Sequence, residues 1–133
     1  MVPPDDAYAA RTAEVLATAR ERLLAILRSA RGCKPMYFSS VEPRPVMDWL
    51  SGLRTGCMLV GLEWSPRLRL PALERRGLHL SGAWEDGQLA ARGLGPEAIV
   101  DELLGIEIEM WEQADESQTV IDAALDSEDT NNS

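Results

Sequence analysis

The sequence predicts an α+β fold: a small mixed or antiparallel sheet centred on residues 57–64, packed by a long N-terminal helix over 5–31 and an amphipathic C-terminal helix over 96–113. Three observations lead there. The run Cys57-Met58-Leu59-Val60-Gly61-Leu62-Glu63-Trp64 is almost without polar interruption and is bracketed by Gly56 and Ser65-Pro66. Eight residues suit a strand, and an unbroken apolar run suits one buried on both faces. Tyr8, Val15, Leu16, Ala19, Leu23, Leu27 and Ala30 recur at spacings of three and four, which draws one apolar stripe along a helix. Residues 96–113 set a broad apolar face against Asp101, Glu102, Glu109 and Glu112.

The N-terminal helix is capped by Asp5 or Asp6 after Pro3-Pro4 and stopped by Gly32. Its acidic residues come first, and Arg20, Arg22, Arg28 and Arg31 crowd its second half, in keeping with the helix dipole. Residues 36–41 read as a short strand. Glu42-Pro43-Arg44-Pro45 then holds the backbone extended, because a residue before proline is pushed away from helix. Pro45 opens a short helix with Val46, Trp49, Leu50 and Leu53 on one face, ended by Gly56.

Beyond the central strand, Arg and Leu alternate through residues 65–71, an edge segment where proline is tolerated. Residues 71–76 make a helical turn stopped by Gly77. Asp86-Gly87, between the runs 78–84 and 88–92, predicts a hairpin. Gly93-Leu94-Gly95-Pro96 is a hinge-like connection.

Two periodicities compete after Pro96. As one helix, Ile99, Val100, Leu103, Leu104, Ile106, Ile108, Met110 and Trp111 share a face, but Glu107 falls near its middle, where a lone carboxylate is costly. As a helix stopped at Gly105 and followed by a strand, Glu107 and Glu109 point away from the apolar residues. The continuous helix is preferred. Residues 1–113 are thus read as a single domain and 114–133 as an acidic, partly disordered tail. Within the tail, Val120, Ile121, Ala124 and Leu125 could form a marginal two-turn helix.

A chain of 133 residues with 45% apolar and 26% charged residues is an ordinary globular protein. No apolar run approaches the ~20 residues of a membrane span. The acidic, proline-bearing start is the wrong chemistry for a signal peptide, so a cytoplasmic location is expected. Cys33 and Cys57 stand 24 positions apart, and with a single histidine neither a metal centre nor a disulfide framework is signalled.

Charge is polarised. Residues 1–96 hold all 13 basic groups, 12 of them Arg, and 10 acidic ones; residues 97–133 hold 12 acidic groups and no basic one. This makes the acidic end the leading candidate site, with Asp101, Glu102, Glu109, Trp111, Glu112, Asp115 and Glu116 meeting a partner with a basic surface. Arg67, Arg69, Arg75 and Arg76 form a second candidate, an anion-binding patch for phosphate or carboxylates. A sequence pI near 4.5 argues against direct nucleic-acid binding.

No reaction is signalled. His79, between Leu78 and Leu80, has no nucleophile turn beside it, and Gly56 to Gly61 lacks the lysine of a phosphate loop. No cofactor is expected. The reading is therefore a non-enzymatic acidic module that inhibits or neutralises a basic protein, as bacterial or phage immunity, antitoxin and anti-defence proteins do. A chaperone or homodimeric scaffold using helix 96–113 as its seam is the alternative. In size, acidity and amphipathic C-terminal helix the chain resembles type III secretion chaperones, but here a helix interrupts the strands after residue 45. A small enzyme working with Glu63 or Glu85 beside Arg67 or Arg69 is the third reading, and it requires a pocket.

Overall fold

The structure is a computed structural model that describes the backbone of residues 4–80 and 84–131 and the side chains of 11–80 and 84–114. The fold is all-α, not α+β, and no strand occurs among the described residues. The helices are α1 (Pro4–Gly32), α2 (Lys34–Tyr37), α3 (Pro43–Leu59), α4 (Leu70–Arg75), α5 (Asp86–Ala91) and α6 (Pro96–Asn131), with a 3-10 turn over Pro66–Arg69 before α4.

The predicted central strand is where the reading fails. Cys57, Met58 and Leu59 are the last residues of α3, which runs through Gly56 without stopping. Gly61, at φ +93°, is the stop: Leu62 N–H donates back to the Cys57 carbonyl at 2.8 Å and closes the helix end. A side chain at Gly61 would also press on Leu16 of α1. The run is not buried on both faces either, since Met58, Leu59 and Val60 are exposed and only Cys57, Leu62 and the half-buried Trp64 turn inward. A short apolar run and a helix end look alike in sequence.

The neighbouring expectations change with it. Residues 34–37 are the helical turn α2 rather than a strand. The prolines at 43 and 45 start α3 two residues earlier than expected, where their missing N–H groups cost nothing. The Arg–Leu alternation of 66–69 is a 3-10 turn capped by Ser65, whose Oγ accepts from Arg67 N at 3.2 Å. Asp86-Gly87 does not turn a hairpin but opens α5, with Asp86 at the positive end of the helix dipole. The Gln88 side chain then bonds both backbone groups of His79, at 3.0 and 2.8 Å. Ser81–Ala83, part of the expected hairpin, lie outside the described residues.

The organising element is α6. It is one continuous helix, as preferred from the sequence, and it runs on past 113 to Asn131. From Ile99 to Trp111 it is buried on nearly every side. One side, with Val100, Leu104, Ile108 and Trp111, packs on Leu23, Leu24 and Leu27 of α1 and on Val46 and Leu50 of α3. The other, with Ile99, Leu103 and Ile106, packs on Ala72 and Leu73 of α4, on Leu78 after it, and on Leu89 of α5. A helix apolar nearly all round is one enclosed by its neighbours. Gly105 lets α1 approach, for a Cβ there would meet the Arg31 guanidinium at 2.9 Å. Among the described residues no helix is long and apolar enough to cross a membrane.

Candidate functional site

The densest chemistry lies in the interior, between α3, α6 and the segment joining α3 to α5. Arg54 sits on the same α3 stripe as Val46, Leu50 and Cys57, so the helix turns a guanidinium into the core. Glu107 sits in the apolar face of α6, 1% exposed, and meets it. Arg54 Nε donates to Glu107 Oε1 at 2.9 Å and its terminal nitrogen donates to Oε2, a two-bond fork. Trp111 Nε1 adds a third donor to Glu107 Oε1 at 3.1 Å. The guanidinium carbon of Arg54 lies 4.4 Å from the Trp64 ring centre and 4.3 Å from that of Trp84, so the cation is stacked against two indoles.

A second pair adjoins the first. Arg69, from the 3-10 turn, donates to Glu85 and lies 4.8 Å from the Trp84 ring centre. Glu85 is fully buried and Arg69 is 6% exposed. Burial pushes the Arg69 guanidinium below its usual range, opposed by the charge of Glu85 and reinforced by that of Arg54. Arg69 Nε and Glu85 Oε1 have no hydrogen-bond partner among the described residues. Burial also raises the Cys57 thiol, and the Glu107 carboxylate raises it further.

Two cations and two anions thus cancel inside the protein. A buried carboxylate can do acid–base work only where a substrate reaches it, and Glu85 and Glu107 are closed off from solvent. The Glu85–Arg69 pair was named from the sequence as a possible enzyme site, and the structure does bring the two together, but in the core. Glu63 and Arg67 are exposed.

The acidic candidates of α6 are placed differently from the expectation of a free face. Asp101 accepts from Arg31 Nε at 3.3 Å and Lys34 Nζ at 2.9 Å. Glu102 accepts from Arg76 Nε at 2.8 Å. Glu109 accepts both terminal nitrogens of Arg76, at 2.8 and 3.0 Å, and pairs with Arg75 at 3.2 Å. Glu112 pairs with Arg28 at 3.3 Å. Trp111 is 1% exposed and belongs to the core, not to a rim. Hydrogen bonding from Arg31 holds Asp101 below the usual carboxylate range, and hydrogen bonding from Arg76 does the same for Glu109; burial opposes both shifts. The side chains of Asp115 and Glu116 lie outside the described residues.

The same contacts divide the arginine group. Arg69 is committed to Glu85, Arg75 and Arg76 to the carboxylates of α6, and Arg67 alone of the four carries no ion pair among the described residues. Only Arg75 and Arg76 share an anion, Glu109, and the four do not converge on one. His79 is exposed, Cys33 and Cys57 are free thiols, and no metal-holding group of His, Cys, Asp or Glu occurs among the described residues.

The surface feature that composition did not mark is an open groove of about 420 Å³ lined by Glu14, Val15, Thr18, Ala19, Arg22 and Val60, where α1 passes the end of α3. No protein-family model matches this chain, and neither a curated protein nor a solved structure does.

Proposed function

We propose that this protein is a non-enzymatic module of the cytoplasm that binds another protein by a basic surface on that partner. Immunity proteins, antitoxins and anti-defence proteins act in this way. The observation that carries the reading is the partition of charge. Residues 11–114 hold 13 basic and 14 acidic groups and pair five of the six carboxylates that α6 carries before residue 115, whereas residues 115–133 hold six acidic groups and no basic one. The attraction for a basic partner therefore narrows from the whole of 101–116 to Asp115, Glu116 and the carboxylates that follow them. An excess of charge of one sign speeds association with its opposite and repels nucleic acid. The enclosure of Glu85 and Glu107 supports the non-enzymatic part of the reading.

The test is affinity capture from the native host with the wild-type chain and with Asp115→Lys/Glu116→Lys/Asp122→Lys as baits, across a salt series. The reading expects a basic protein that the wild type retains, that salt releases, and that the variant retains at least tenfold less well. Equal retention by the two baits overturns it.

A further inference from the structure

Val15 on α1 and the run Met58, Leu59 and Val60 at the end of α3 are among the large apolar side chains most open to solvent, between 55% and 84% exposed. Val15 and Val60 line the groove described above. Apolar residues grouped like this on an otherwise charged protein mark a contact surface rather than random exposure. The seam expected on helix 96–113 is excluded from that role, because its apolar face is covered by α1, α3, α4 and α5.

The charges on the groove say what covers it. Glu14 and Arg22 both line it, both are exposed, and neither carries an ion pair among the described residues. Each stands four positions from Thr18, on opposite sides along the helix. A two-fold axis beside Thr18 would run two α1 helices antiparallel and set Glu14 of each copy at the level of Arg22 of the other. The apolar centre would then be Val15, Ala19 and Val60 from both copies, ringed by two ion pairs. A two-fold contact must be self-complementary, and a groove with one acid and one base at equal distances from its middle meets that condition. A partner of a single charge sign would leave one of the two unmatched.

We infer that α1 and the end of α3 form a homodimer surface, in which a second copy of this chain covers Val15, Leu59 and Val60 and exchanges Glu14–Arg22 pairs. This contact is independent of the acidic end of α6, so the two readings stand or fall separately.

The experiment is sedimentation equilibrium of the full chain from about 1 to 300 μM, with Glu14→Arg, Arg22→Glu, the double exchange Glu14→Arg/Arg22→Glu, and Leu59→Ser. All substitutions are at exposed positions, and circular dichroism checks that each variant folds. The wild type is expected to dimerise in this range. Each single reversal sets like charges together twice and should weaken the dimer by about tenfold; Leu59→Ser should weaken it as well. The double exchange should restore it, since the pairs re-form with their signs swapped. A wild type that stays monomeric at 300 μM overturns the inference. So does a dimer indifferent to the single reversals, or a double exchange no tighter than either single one.

Discussion

Arg54 on α3 holds Glu107 on α6 through two hydrogen bonds, although the two stand 53 positions apart in the chain, and both side chains are buried. The pair explains how a carboxylate occupies the apolar face of the central helix. It also fixes the rotation of α3 against α6, because the fork and the indoles of Trp64 and Trp84 accept the guanidinium in one orientation.

Breaking that pair from one side should be more damaging than removing it. Arg54→Met leaves a buried, unpaired carboxylate and should cost about 3–5 kcal/mol in urea unfolding. Glu107→Leu strands the guanidinium and should cost a similar amount. The double variant removes both charges and should recover most of either loss. Strictly additive losses would mean that the two side chains do not depend on each other.

The two thiols should separate cleanly. Cys33 is exposed and should react promptly with an aromatic disulfide reagent. Cys57 is buried, and both burial and Glu107 disfavour its thiolate. It should react only when the protein unfolds, so native protein titrates one thiol and denatured protein two. Prompt reaction of both in the native state would contradict the packing of α3.

Acid should weaken the surface that joins α6 to its neighbours. Asp101 and Glu109 have folded pKa values below their ordinary 3.8 and 4.5, held there first by hydrogen bonds from Arg31 and Arg76. The stability such a shift confers is complete above the ordinary values and is lost as pH falls through the depressed ones. Asp101→Asn/Glu109→Gln should therefore be less stable than wild type at pH 7, with the gap between their urea midpoints closing toward pH 3. A gap that stays constant over this range would show that the carboxylates gain nothing from their partners.

The long elements were legible because they repeat. The stripe from Val15 to Ala30 and the apolar face of 99–111 each persist over several turns, and both are helices as read. Between them the helix begun at the prolines before Val46 and the turn after Pro71 were also legible, but 36–41, 57–64 and 78–92 were read as strands, because a short apolar run bounded by glycine looks the same at a helix end and in a strand. Gly61 interrupts an apolar run in sequence, yet its left-handed backbone is what ends α3. Glu107 was the informative residue: a carboxylate in the middle of an apolar face implies a buried cation. Arg54, on the stripe of Val46 and Leu50, carried the matching signal. Nothing in the spacing of either told which cation meets which anion, and the pairing of Arg76 with Glu102 and Glu109 was hidden for the same reason. Counting the acidic end as free charge was the consequence.

The most direct test of where that charge goes is urea unfolding of Glu102→Lys/Glu109→Lys. These two carboxylates bind Arg76, whose side chain is 17% exposed, and Glu109 also pairs with Arg75, so reversing them sets four positive charges together at a packed helix interface. If α6 is held to α4 as described, the variant should lose about 2 kcal/mol or more, even after solvent screening of the partly exposed carboxylates. An unchanged unfolding midpoint would contradict the account, because it would mean that Glu102 and Glu109 stand free of the protein's own arginines.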